Sequence, residues 1–333
     1  VPLPEGLRRA LDQLTGQYTR AELTRATAEL IAGYRDLASP PPALRREIDV
    51  AAYAVYRVPA TYAAVDAVLG HLHGQRLDFA PSTLLDVGAG PGTASWAALE
   101  HFPSLVTMRL FERNPQMIAA GREIASWTGV SERVQWDQGD VTEGAIGCTA
   151  ELVTASYVLG ELSPGAIDSM AASLWAATTD TLVVVEPGTP AGFERVRRVR
   201  ALTIEWGGWI ASPCPAEMPC PMAGDWCHFS ARLIRDERHR AVKGADLPYE
   251  DEKFSYLAVC RPEGAARADR ILRHPQVRSG MIRLQLCTPE GARERVVTRR
   301  ERTVFRDARH ARWGDRWCEE RPDDRLPEGE NAE

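Results

Sequence analysis

Thr83-Leu-Leu-Asp-Val-Gly-Ala-Gly-Pro-Gly-Thr93 decides the fold. Strand-forming residues run into a turn with glycine at 88, 90 and 92, and a helical pattern follows to Glu100. Such a strand–turn–helix lets the backbone approach a ligand closely and aims helix N–H groups at it. A lone glycine turn is weak evidence, so its surroundings matter. Downstream, strands and helices alternate. Val106–Phe111, Val134–Trp136, Leu152–Ser156 and Thr181–Val185 read as strands. Pro115–Thr128 and Pro164–Ala177 read as helices between them. Alternation of this kind implies an α/β fold, a doubly wound, Rossmann-like parallel sheet.

Acids stand where such a sheet meets a nucleoside. Glu112 ends the second strand about 20 residues after the turn, placed to accept hydrogen bonds from ribose hydroxyls. Asp140, in Gln138-Gly-Asp140, follows the third strand, where an acid can hold an adenine amino group. The fourth strand runs into Ser156-Tyr-Val-Leu-Gly-Glu-Leu162. This order resembles the class I S-adenosylmethionine (SAM)-dependent methyltransferases over residues 80–190. A nicotinamide site more often shows G-x-G-x-x-G, whereas the glycines here are spaced by two. The resemblance implies that Asp86, Gly88 and Gly90 lie beside the methionine part of the cofactor, with Glu112 on the ribose and Asp140 on the adenine. Ala89, Thr93, Arg113, Val141, Tyr157 and Glu161 complete the expected cofactor site. No catalytic motif is legible. The Asn/Asp-Pro-Pro-aromatic tetrad of amine methyltransferases is replaced by Ser156-Tyr-Val-Leu159, and no cysteine nucleophile stands there.

Outside this core the periodicity changes. Residues 1–78 read as a helical subdomain, with Leu7, Leu11 and Leu14 at helical spacing and breaks at Ser39–Pro42 and Pro59. A domain over 79–315 follows, interrupted by an irregular Gly/Pro/Cys insertion at 207–230. Phe254–Cys260, Met281–Cys287 and Arg295–Phe305 read as further strands. Residues 316–333 read as an acidic flexible tail.

The 333 residues are 44% hydrophobic and 26% charged, an ordinary globular composition. No apolar run approaches a membrane span, and no secretory signal is visible, so a cytoplasmic location is expected. The net charge of −6 speaks against bulk, non-specific nucleic-acid binding. Lysine occurs only at Lys243 and Lys253, so arginine counts need discounting.

Three of seven cysteines crowd the insertion. Cys214, Cys220 and Cys227 sit among Pro213, Pro215, Pro219 and Pro221, and Cys287 ends a later strand. Four thiolates select zinc or an iron–sulfur cluster over hard cations. Structural zinc usually takes tighter knuckles, whereas a wide, stiff loop suits a cubane cluster. Zinc stays open as the alternative.

Several further motifs resemble the ribosomal small-subunit methyltransferase-like family. They are Ala52-Tyr53 to Arg57-Val-Pro-Ala-Thr-Tyr62, Val158–Leu162, Val185-Glu-Pro-Gly-Thr189, Ala211–Cys214, Asp225-Trp-Cys-His-Phe-Ser230, Phe254–Leu257 and Leu286–Gly291. The resemblance implies a 4Fe–4S cluster on Cys214, Cys220, Cys227 and Cys287, and binding to small-subunit RNA during ribosome assembly. It leaves catalysis uncertain, so a non-catalytic assembly factor is the second expectation. A small-molecule methyltransferase with structural zinc is the third.

Two arginine runs are RNA candidates. Arg299, Arg300, Arg302, Arg306 and Arg309 have Phe305 and Trp313 among them, and Arg195, Arg197, Arg198 and Arg200 form the other. Arg57 and Tyr62 are candidates for the cofactor pocket, with core packing the alternative.

Overall fold

The structure is a computed structural model, and it describes residues 1–35, 44–141, 146–235, 237–244, 246–261 and 268–319. Four helices come first: α1 (Glu5–Thr15), α2 (Arg20–Arg35), α3 (Glu47–Tyr56) and α4 (Val58–Gln75). Pro59 does not break α4. It sits in the first turn, where a backbone N–H has no helical partner to lose.

The alternating region follows as β1 (Thr83–Val87), α5 (Thr93–His101), β2 (Thr107–Glu112), α6 (Pro115–Thr128) and β3 (Val134–Gln138). Next come β4 (Ala150–Ser156), α7 (Ile167–Ala177), β5 (Thr178–Pro187) and α8 (Pro190–Glu205). Then β6 (Trp209–Ser212), β7 (Phe229–Ile234), α9 (Glu237–Lys243) and β8 (Tyr249–Cys260) complete the larger sheet. Its order is β3-β2-β1-β4-β5-β8-β6, with β7 also on β8. The first five strands are parallel and β8 runs antiparallel to β5. Leu84, Leu85, Val87, Leu152, Val153 and Leu182–Val185 are all buried. Near-continuous apolar strands of this kind need helices on both faces. This is the expected doubly wound, Rossmann-like sheet. Chain order reverses between β1 and β4, so the ligand crevice belongs at their carboxyl ends.

The last strand position is divided. Trp209, Ile210 and Ser212 of β6 pair with the end of β8, and Phe229–Ile234 of β7 pair with its beginning. Residues 213–228 leave the sheet between the two halves. The sequence reading treats 207–230 as one irregular insertion and misses β6. Four residues between Gly207-Gly208 and Pro213 are too few to show alternation, and pairing with β8 supplies what local pattern lacks.

Contacts divide the chain into two units: Val1–Pro213 with Ala223–Ala266, and Cys214–Met222 with Arg267–Glu333. The N-terminal helices thus share a unit with the large sheet. The second unit holds β9 (Asp269–Ile271), β10 (Gln276–Arg278), β11 (Met281–Thr288), β12 (Gly291–Thr298), α10 (Arg302–His310) and β13 (Arg316–Trp317). Its strands run in the order β10-β11-β9-β13, with β12 on β11. Ile271, Ile282, Leu284, Leu286, Val297, Ala308 and Trp317 form its core, with Val304 and Phe305 packed against it.

Two expectations change here. The strand expected at Arg295–Phe305 ends at Thr298, because Val304, Phe305 and Ala308 recur at helical spacing and pack as α10. Arg316 and Trp317, expected in the tail, pair with β9 as β13. Residues 320–333 of that tail lie outside the described residues.

Candidate functional site

A cavity of about 440 Å³ opens at the carboxyl ends of β1, β2, β3 and β4. That volume is in the range of small-molecule sites. Gly88, Gly90, Glu112, Arg113, Asp140, Val141, Tyr157 and Glu161 line it, as expected positions brought together. Asp86, Ala89 and Thr93 are not in its lining. Leu44, Arg45 and Asn114, which the sequence reading does not single out, are, and so are Tyr53 and Val158, which it quotes only within family motifs.

The turn is built by close approach. Gly88 has φ +68°, and a β-carbon there would lie 2.6 Å from Val158 Cγ2. The amides of Gly88 and Ala89 both donate to Phe111 O, and the Gly92 amide donates to Ala89 O. Several N–H groups that the sequence reading offers to a ligand are therefore used within the turn itself. Gly90 N donates to Glu112 Oε2 and Asn114 N to Glu112 Oε1, each at 2.8 Å. Glu112 thus points at the turn and is held by backbone donors from two sides.

Asp86 lies behind the turn, 1% exposed. Its carboxylate accepts from Thr154 Oγ1 at 2.7 Å and Ser95 Oγ at 3.0 Å. Burial pushes its pKa up to about 6, against those hydroxyl donors, and the charge of Glu112 adds to the rise. At the mouth, Arg113 donates to Glu161 Oε2 at 2.8 Å and lies 3.8 Å from Asp140 Oδ2. Burial raises the Glu161 pKa, Arg113 opposes the rise, and Glu112 and Asp140 reinforce it.

Tyr157 follows β4 with φ +61°, which among described residues no other non-glycine shows on the positive side. Such backbone is uncommon for a bulky residue and gathers at functional sites. Its amide donates to Val185 O at 2.7 Å. Its hydroxyl donates to Glu252 Oε1 at 3.0 Å, and Arg57 donates to the same oxygen at 3.2 Å. The Arg57 guanidinium lies 4.4 Å from the tyrosine ring centroid. Burial first, and Glu252 second, hold the phenol well above its usual pKa, so it stays protonated. Arg57 therefore acts behind Tyr157, and Tyr62 is buried core; neither lines the cavity.

The turn after Val158 has its own support. Fully buried Glu186 accepts from Leu159 N at 3.0 Å and from Arg195 Nε at 2.7 Å. Glu186 was legible only within the Val185–Thr189 motif. Trp226 Nε1 donates to Gly188 O at 2.9 Å, and Ser255 Oγ donates to Cys227 O at 2.8 Å. These bonds fix the end of the cysteine segment to the first unit.

None of the seven cysteines forms a disulfide. Cys214, Cys220 and Cys227 are half-buried and Cys287 is buried. Their thiols fit a soft metal by chemistry. Among the described residues, however, no group of three or more His, Cys, Asp or Glu is placed to hold a metal ion.

The two arginine runs part company. In α8, Arg195 is taken by Glu186, Arg197 pairs with Glu194, Arg198 pairs with Asp168, and Arg200 is buried. That run is spent on burial and ion pairs, although Arg197 and Arg198 remain exposed. In the second unit, Arg299 and Arg300 are exposed at the start of α10, and Arg302, Arg306 and Arg309 are exposed along one helix face. Phe305 packs into the core instead, so it is no stacking platform. Residues 268–319 carry thirteen arginines against seven acids, a net +6 within a chain of net −6.

Residues 47–318 match the family model described as "Mitochondrial small ribosomal subunit Rsm22". The chain belongs to this family. Among curated relatives of the Rsm22-family chain, the human mitochondrial ribosome assembly protein METTL17 is 28% identical over 298 residues. That alignment covers 79% of this chain and 61% of the human protein. The Rsm22-cox11 tandem protein 2 of fission yeast, also mitochondrial, is 21% identical over 80% of this chain and 42% of its own length. The chain thus spans about three fifths of the human relative and less than half of the yeast one. Among solved structures, an O-methyltransferase family protein of Burkholderia thailandensis shares 13% identity, with TM-score 0.47, over 74% of this chain and 73% of that one. The SAM-bound magnesium protoporphyrin IX methyltransferase of Synechocystis shares 11%, with TM-score 0.41, over 70% and 91%. No helix among the described residues is long and apolar enough to cross a membrane.

Proposed function

We propose that this Rsm22-family chain binds SAM in the cavity after β1 and β2 and contacts small-subunit ribosomal RNA during ribosome assembly. The observation that carries the first half is the cavity, where Glu112, Asp140 and Glu161 meet Gly88 and Gly90. Glu112 would hold ribose hydroxyls, Asp140 the adenine amine, and Gly88 and Gly90 would admit the methionyl part. SAM, when bound, supplies an electrophilic methyl group. The second half is supported by family membership and by the exposed arginines of α10 and its approach. The test is equilibrium binding of SAM and of immature small-subunit RNA to the purified chain. Micromolar binding of both is expected; absence of SAM binding at millimolar ligand would remove the cofactor half.

A second reading, assembly without methyl transfer, is favoured by one feature. Among the described residues the cavity lining contains no His, Lys or Cys, and the Tyr157 hydroxyl is committed to Glu252. Incubation with methyl-labelled SAM and immature subunits decides it: label in RNA or protein supports the enzyme, and binding without label supports the assembly factor.

The four cysteines are proposed as ligands of an iron–sulfur cluster, with zinc as the alternative. Support comes from three free thiols in a proline-rich segment, from the free thiol of Cys287, and from their softness. About four irons and four sulfides per chain, lost in Cys220→Ser, are expected on anaerobic purification. About one zinc without sulfide gives the alternative.

A further inference from the structure

The arginines of the second unit fall into two sets. Arg283 pairs with Glu294, Arg293 with Asp269, and Arg295 with Glu301 and Glu319. Arg270 is buried and donates to Gly314 O at 2.9 Å. Arg278, Arg299, Arg300, Arg302 and Arg309 are exposed, and among the described residues none of them has an acidic partner. This unpaired set gathers toward one end. β10 and β11 form a hairpin in which Arg278 stands opposite Met281, and Met281 opposite Thr298 of β12. At the hairpin tip Gly280 turns with φ +80°, and its carbonyl accepts from Arg299 N at 3.2 Å. A β-carbon on Gly280 would lie 3.7 Å from Arg299 Cδ, so the Arg299 side chain lies across the tip. Arg300 follows, and Arg302 opens α10. Glu301 is the acid within this corner, but its oxygens accept from Arg295 and from Thr298 N. The corner therefore keeps its positive charge. Like charges massed in this way repel one another, and a polyanion offsets the repulsion while releasing its own counterions.

The aromatic residues decide which polyanion fits. Residues 268–319 carry Phe305, Trp313 and Trp317 and no tyrosine. Trp317 lies in the core and Phe305 packs against it. Trp313 is half-buried, with its ring edge-on to His274 at 5.0 Å between centroids. None of the three is exposed as a stacking platform. Single strands are gripped by aromatic platforms set in a basic groove. Double-helical RNA hides its base faces and is held through phosphates and 2′-hydroxyls. Charge without stacking fits the double helix.

We propose that the second unit docks on a double-helical segment of RNA, with the β10–β11 tip and the β12–α10 corner against its phosphates. The inference rests on the RNA reading above and deepens it. It assigns duplex over single strand, and it adds Arg278, which belongs to neither arginine run of the sequence and joins Arg299 and Arg300 only in the fold.

Fluorescence anisotropy of the full chain tests this. The probes are a blunt RNA duplex of about 16 base pairs and an unstructured single strand of the same length. The duplex should bind at least about tenfold tighter at equal salt. Combined Arg278→Ala, Arg299→Ala and Arg300→Ala should reduce the duplex slope of log affinity against log salt by about two to three. Arg283→Ala with Arg293→Ala removes two arginines of the same unit that are already in ion pairs, and should change that slope by less than about one. A thermal melt controls for folding. Should the triple variant melt early, Arg278→Ala alone carries the test, with a slope change of about one. A single strand bound as tightly as the duplex overturns the duplex assignment and leaves the RNA reading standing. A slope unmoved by the tip and corner variants overturns the docking surface. Polyglutamate displacing the protein as well as duplex does, charge for charge, assigns the corner to an acidic protein and also overturns it. Binding of neither RNA overturns the RNA reading and this inference with it.

Discussion

Gly88 lies directly against Val158: a β-carbon added to the glycine would fall 2.6 Å from Val158 Cγ2 and 2.9 Å from its Cβ. The turn after β1 and the turn after β4 are therefore one packed unit. Gly88→Ala must displace residue 158 and must also hold a side chain at φ +68°, which by itself costs about 1–2 kcal/mol. We expect SAM affinity to fall at least about tenfold, with the melting temperature lowered by a few degrees. Calorimetric titration beside a thermal melt checks both.

Asp86 makes stability pH-dependent in a defined direction. Its folded pKa, about 6, stands above its ordinary 3.8. The folded state binds the proton more tightly, so stability is lost as pH rises from about 4 to about 6 and stays level above that. The full shift corresponds to at most about 3 kcal/mol. Asp86→Asn lacks this ionisation. The melting temperature of the variant relative to the parent should be higher at pH 7.5 than at pH 5. A difference that does not change between those pH values would remove the assignment.

Glu186 and Arg195 form a buried pair beneath the Leu159–Glu161 turn. Arg195→Ala leaves a fully buried carboxylate without its cation, which is expected to destabilise by about 3–5 kcal/mol. Replacing both, as Glu186→Leu with Arg195→Met, should recover most of that loss. Chemical denaturation of the three variants gives the comparison. SAM affinity of the double variant is expected to stay reduced, because Leu159 N loses its acceptor.

The exposed face of α10 makes a salt-dependence prediction. Triple replacement of Arg302, Arg306 and Arg309 by alanine should weaken small-subunit RNA binding about uniformly across sequences. It should also reduce the slope of log affinity against log salt by about two to three. Replacing Arg195, Arg197 and Arg198 should leave that slope unchanged, since all three are in ion pairs within the fold.

The sheet was readable because apolar strand runs, glycine turns and helical spacing all agree over 83–187. The bounds of Pro115–Thr128 were legible to the residue, and in the structure Asn114 caps that helix and Gly129 ends it. Glu112 and Asp140 could be picked out because an acid at or just past a strand end is a local signal, and both line the cavity with Glu161. What stayed hidden depends on partners distant in sequence. Tyr53 reaches the cavity from α3, Glu252 reaches Tyr157 from β8, and Arg195 is consumed by Glu186; none of these has a local pattern. Asp86 shows the opposite limit. Its motif position suggested ligand contact, yet its oxygens face Thr154 and Ser95 rather than the cavity lining. The arginine-rich composition also blurred the surface, and the burial of Arg200 and pairing of Arg195, Arg197 and Arg198 set α8 apart from α10, where Arg306 pairs only with its neighbour Asp307 among the described contacts.

The interrupted last strand has a consequence for how this chain can change. Both halves, Trp209–Ser212 and Phe229–Ile234, are registered on the same continuous β8. Each half is anchored without help from the residues between them. Hydrogen bonding in the sheet is therefore indifferent to what is spliced in at 213–228. The site behaves as a socket: descendants could lengthen, shorten or lose the cysteine-bearing segment, and an engineer could graft another there, while the parallel half of the sheet inherits the same geometry.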